Sequence, residues 1–111
     1  MKKAYRVKKS AEIEAIMKNK SSFSDGYFVL YKINHEELDH FRYAISVPKK
    51  YGTAVKRNLM KRRIREIIKV NDFNDNVDFF IITKVKTKDF SFEEIKIALE
   101  KLFARAKILK G

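Results

Sequence analysis

The apolar positions of this chain change period several times, and each change predicts an element. Ile13, Ile16 and Met17 recur at helical spacing within Ala11 to Asn19, which predicts a short amphipathic helix with Ser10 as its N-cap. Ser21 to Ser24 reads as a short strand, and Asp25-Gly26 as a tight turn after it. Tyr27 to Ile33 then alternates, with Tyr27, Val29, Tyr31 and Ile33 on one face and Phe28, Leu30 and Lys32 on the other. A polar loop, Asn34 to His40, leads to a strand over Phe41 to Val47, where Phe41, Tyr43, Ile45 and Val47 alternate with Arg42, Ala44 and Ser46. Pro48 ends that strand because it has no N–H to give a ladder. After the basic loop Lys49 to Gly52, Thr53 is placed to cap a helix that runs to about Val70 and stops at the Asn71-Asp72 turn. Val77 to Thr83 is nearly all apolar, as a central strand buried on both faces would be. Ser91 and Glu94 form a capping box for a last helix with Ile95, Ala98, Leu99, Leu102, Phe103 and Ala106 on its apolar face. The order is α-β-β-β-α-β-α, an α+β sandwich with a small mixed sheet.

At 111 residues the chain makes one domain, residues 1–111, with a basic start (Lys2 to Lys9) expected to be a loosely held arm. An apolar content of 45%, with nine Phe and five Tyr, is enough for a core. Cysteine is absent, which excludes disulfides and thiolate zinc sites and fits a reducing, cytoplasmic setting. No apolar run approaches the roughly 20 residues that cross a bilayer. The basic start is not followed by a signal-type apolar stretch, because Glu12, Glu14 and Lys18 interrupt it. What changes the picture is a net charge of +12. Self-repulsion on that scale calls for a counter-charged partner, nucleic acid before an anionic membrane.

Much of that charge sits on the central helix. At 100° per residue from Val55, the residues Met60, Ile64, Ile67 and Ile68 fall between roughly 120° and 220° and define a core stripe. Lys61, Arg65, Asn58, Lys69 and Arg62 fall between roughly 240° and 340°, a continuous basic arc beside it. Arg57 lies on the border, where its stem can pack while its guanidinium reaches out, and Lys56 and Arg63 take a separate side. A merely solvated helix face mixes signs, yet Glu66 is the sole acid between Thr53 and Val70. Guanidinium forks suit phosphate oxygens, and Asn58 adds a donor and an acceptor.

The run Arg57-Asn58-Leu59-Met60-Lys61-Arg62-Arg63-Ile64-Arg65 resembles the signature R-N-x-x-K-R-x-x-R of the bacterial ribonuclease P protein subunit. Ser46 to Val55 is similar to the lead-in to that signature, and the likeness extends to Phe28 to Tyr31, Phe79 to Ile82 and the last helix, nearly the whole chain. The resemblance implies a protein that joins a catalytic RNA and helps remove the 5′ leader from precursor tRNA, with Mg2+ held mainly by the RNA. It implies a ribosomal protein S5 domain 2-like fold, in which strand, signature helix and next parallel strand are joined by a left-handed crossover, whereas about 98% of such connections are right-handed. Here that unit would be Phe41 to Val47, the basic helix, and Val77 to Thr83. Catalytic-RNA contacts are implied for Lys56, Arg57, Asn58, Lys61, Arg62, Arg65 and Lys69, with Lys49 and Lys50. A cleft between the first helix and the sheet, which in the family takes the single-stranded leader, would use Arg6, Ile13, Met17 and Tyr31. Ile13 and Met17 stand where the family usually offers Phe, and Leu59 where many members carry Arg.

Other constellations carry less. His35-Glu36-Glu37-Leu38-Asp39-His40 has histidines five apart in a polar loop, not the helical spacing of a metal pair. Asp72, Asp75, Asp78 and Asp89 are scattered, and three glycines make no phosphate loop, so no catalytic or metal residue is expected in the protein. A ribosomal or other structural RNA-binding protein would share the charge. A DNA-binding helix-turn-helix would need a helix ending just before Thr53, where a strand ends instead.

Overall fold

A computed structural model of the chain describes residues 5–7, 10–18, 21–34 and 40–110. Most of the expected basic arm, and residues 35–39 of the His35 to His40 loop, lie outside the described residues. The elements are α1 (Ser10–Lys18), β1 (Ser22–Ser24), β2 (Phe28–Asn34), β3 (Arg42–Ser46), α2 (Ala54–Lys69), β4 (Val77–Thr83) and α3 (Phe92–Ala106). This is the order that the hydrophobic pattern predicts. Ser10 is the first helical residue rather than the cap, β2 is shifted by one residue, and β3 is a residue shorter at each end. Two short 3-10 helices, Lys49–Tyr51 and Val85–Asp89, occupy stretches where the pattern carries no period.

The sheet runs β1-β2-β4-β3. β4 is interior, antiparallel to β2 and parallel to β3, so its near-continuous burial reflects partners on both edges and packing on both faces. On one face Phe28, Leu30, Tyr43, Phe79 and Ile81 meet the buried stripes of α2 and α3. On the other face a smaller cluster of Val7, Ile16, Ala44 and Phe80, flanked by Ile13, Tyr31, Ile33 and Ile82, lies under α1. Three layers result, and the α1 layer is thin: nine residues cannot cover a four-stranded face.

The helix ends are satisfied locally. Thr53 caps α2 through the Lys56 N–H, and Ser91 with Glu94 closes the full capping box of α3. Asn71 ends α2 by donating from Nδ2 both to the Ile67 carbonyl (2.8 Å) and to Glu100 (2.9 Å), which ties α2 to α3.

Among the described residues one charged group interrupts the apolar interior. Asp78 is 1% exposed and its carboxylate takes two bonds from Arg42, from Nε at 3.0 Å and Nη2 at 2.6 Å, the neighbours being paired across β3 and β4. Arg42 Nη1 also meets Glu12 of α1 at 2.8 Å, so the same guanidinium pins α1 to the sheet. The carboxylate of Asp78 holds the Arg42 guanidinium even more firmly protonated than usual. Removing one partner of a buried pair strands the other. Arg42→Ala is therefore expected to destabilise the fold by about 3 kcal/mol in urea unfolding. Glu12→Gln, which breaks only the outer contact, should cost less than about 1 kcal/mol. Equal costs would place the anchoring on the outer contact instead.

Candidate nucleic-acid interface

α2 turns to the core as its periodicity predicts: Met60, Ile64, Ile67 and Ile68 are its buried residues. Asn58, Arg62 and Lys69 are exposed along the outer arc, and Lys56 is exposed on the far side. Arg57 is half-buried at the border, where its Nε donates to the Gly52 carbonyl at 3.2 Å and so helps close the first turn. Among the described residues, no carboxylate lies within ion-pair distance of Lys56, Arg57, Lys61, Arg62, Arg63, Arg65 or Lys69. The ion pairs among the described residues lie elsewhere, so this helix presents uncompensated positive charge.

The charge faces two ways. Lys61 and Arg65, both half-buried, turn to a cavity of about 310 Å³ that they share with Arg6 and Ile13, with the outer edge of β3, and with Phe80. Tyr43 reaches the same cavity. Burial pushes its phenol above the ordinary tyrosine value, and the charges of Arg6 and Arg65 pull it part of the way back. It therefore stands as a neutral hydroxyl beside two guanidinium groups at neutral pH. On the opposite flank, Lys56, Leu59 and Arg63 border a second recess of about 230 Å³ together with Lys88. Lys50 lines a third, with Lys84, Lys86 and Ile82, and Lys49 is exposed beside it in sequence.

Arg6 and Ile13, expected in a leader cleft, do line one cavity. That cavity also takes in Lys61 and Arg65, which the resemblance assigned to catalytic-RNA contact. Tyr31 is half-buried in the row Tyr31–Phe80–Ala44 under α1, next to the cavity rather than among its lining residues. Met17 lines neither; it stands 41% exposed on α1. Lys84, Lys86 and Lys88 escape the sequence reading because they sit in and beside an aperiodic turn. The Arg42–Asp78 pair did leave a signal there, a lone carboxylate inside the apolar run of β4. Among the described residues no group of three or more metal-ligating side chains gathers, and no helix is long and apolar enough to cross a membrane.

Fold and site together define a small basic α+β protein that offers one cationic helix beside a half-open sheet face. The comparisons with known proteins agree with that class. The family model described as Ribonuclease P matches residues 1–107. The ribonuclease P protein component of Acholeplasma laidlawii is 39% identical over 112 residues, covering 99% of this chain and 96% of that one. The structure of the Staphylococcus aureus RNase P protein superposes with a TM-score of 0.89 at 41% identity, covering 97% of this chain and 100% of the other. That of Thermotoga maritima gives 0.81 at 27% identity, with 96% and 98% covered. The chain belongs to the ribonuclease P protein family, and so is a subunit of a tRNA-processing ribonucleoprotein endonuclease.

The uncompensated arc of α2 makes a direct expectation. Arg62→Ala should weaken RNA binding and reduce the slope of log affinity against log salt by about one. An unchanged slope would show Arg62 to be solvated rather than in contact with phosphate.

Proposed function

We propose that this chain docks on the catalytic RNA of its particle through the outward cations of α2 and holds the single-stranded 5′ leader of precursor tRNA in the cleft between α1, β3 and α2. The observation that carries the reading is the sharing of one cavity by Arg6, Ile13, Lys61 and Arg65, which joins cations to apolar wall in the way a single strand requires. The outer row of Asn58, Arg62 and Lys69, with Lys56 and Arg57 and the Lys49–Lys50 turn, lies outside the lining of that cavity and is assigned to the catalytic RNA. One helix then stands between two polyanions and screens each from the other. Tyr31 and Met17 extend the leader path along the sheet face and α1.

Bond cleavage is assigned to the RNA and the magnesium ions it holds. The protein's part is to neutralise phosphates, to orient the leader, and to lower the concentration of free magnesium at which the RNAs pack closely. We place this activity in the cytoplasm, with no role for DNA or membrane.

Reconstitution with a bacterial catalytic RNA tests the reading. At low magnesium the full chain should raise leader cleavage above that of the RNA alone, and should tighten binding of precursor tRNA more than of mature tRNA. No gain would overturn it. Equal tightening of both tRNAs would make the chain a structural RNA-binding protein without a leader site.

A further inference from the structure

β3 is an outer strand, paired with β4 along one edge only. Along its other edge, among the described residues, the Val7 N–H donates to the Tyr43 carbonyl at 2.8 Å, beside the bridge between Arg6 and Tyr43. Backbone polar groups of a strand alternate between its two edges, and the N–H and C=O of one residue point the same way. Since the Tyr43 carbonyl points away from β4, the N–H and C=O of Ile45 do too. Among the described residues nothing hydrogen-bonds to either of them. Ile45 is among the residues that line the 310 Å³ cavity, and its side chain also packs against the main core.

A strand edge left open is normally blunted or covered, because it invites pairing. Here it opens into a recess with cations around it, Arg6 on one side and Lys61 and Arg65 on the other. That rim disfavours a basic segment and suits a phosphate. The volume lies at the small end of ligand-binding pockets, room for one base of a strand whose neighbouring nucleotides lie outside the recess. An adjacent backbone donor and acceptor complement the edge of a nucleobase, where a donor also stands beside an acceptor. Unstacked bases of single-stranded RNA are read in this way, on edges that a duplex would occupy.

We propose that the open edge of β3 at Ile45 is a base-binding site. One unstacked nucleotide of the RNA strand in the cleft pairs its base edge with the Ile45 N–H and C=O, while Arg6, Lys61 and Arg65 meet the flanking phosphates. The proposal rests on the leader-cleft reading above and adds to it the point at which a base, rather than the backbone, is held. A site of this kind accepts any base that presents a donor beside an acceptor and rejects a nucleotide without a base.

The test is amide hydrogen exchange by NMR on the full chain, alone and with a short single-stranded RNA. Free protein should show fast exchange at Ile45 and slow exchange at Ala44, whose N–H faces β4. Saturating RNA should slow Ile45 by about tenfold, the scale of one hydrogen bond, and leave Ala44 unchanged. Walking a single abasic unit along the RNA should restore fast exchange at one position of the strand. If RNA shifts the signals of Arg6, Lys61 and Arg65 while Ile45 still exchanges fast, the base site is overturned and the leader cleft stands. If RNA shifts none of them, the cleft reading falls and the base site with it. Protection of Ile45 by a strand-forming peptide, but not by RNA, would reassign the edge to a polypeptide partner.

Discussion

The pairing of β4 on both edges is the constraint from which the remaining geometry follows. β4 lies between β2 and β3 and is buried on both faces, almost wholly through apolar side chains, and helices cover both. The two faces are covered unequally. α2 and α3 together seal one, and the nine residues of α1 shelter part of the other. The parallel pairing of β3 with β4 also requires a crossover, and α2 is that crossover. The most basic helix of the molecule is thus held at the margin of the half-covered face. The cleft and its cations arise from one topological fact.

The placement of charge is equally economical. Carboxylates are used where they organise the protein, as Asp78 and Glu12 do through Arg42. They are withheld from the cations of α2. A buried pair with a bidentate fork fixes geometry more than it adds stability. Here it fixes where α1 sits over the sheet, and therefore the position of Ile13 on the cavity wall. The family relationship makes the chain a subunit of a nuclease, and what its described residues contribute to that particle is uncompensated positive charge on α2.

The order of elements was legible because each has its own period. The α2 stripe of Met60, Ile64, Ile67 and Ile68 follows from angle alone, and the Ser91–Glu94 box from residue type and spacing. The grouping of Arg6 with Lys61 and Arg65 could not be read this way, because it depends on how the N-terminal segment lies along β3. Nor could the bond of Arg42 to Asp78, which is a matter of register between strands distant in sequence. Lys88 meets Lys56 and Arg63 only because a 3-10 turn packs beside α2, and such turns carry no hydrophobic signal. Helix faces are local properties, whereas a site built from loops and strand edges belongs to the tertiary fold.

The position of β4 in the chain also bears on how the protein is made. Synthesis delivers β1, β2, β3 and α2 before the strand that joins them. Until Thr83 has emerged, β2 and β3 have no common partner and the apolar stripe of α2 has no sheet to lie on. In that interval the sequence of the basic helix is present but no sheet face exists to take its apolar stripe. Long-range pairings of this kind form late and set the pace of folding. The strand that completes the sheet is then also the step that withdraws the helix's apolar side from unwanted contacts and leaves only its charge on offer.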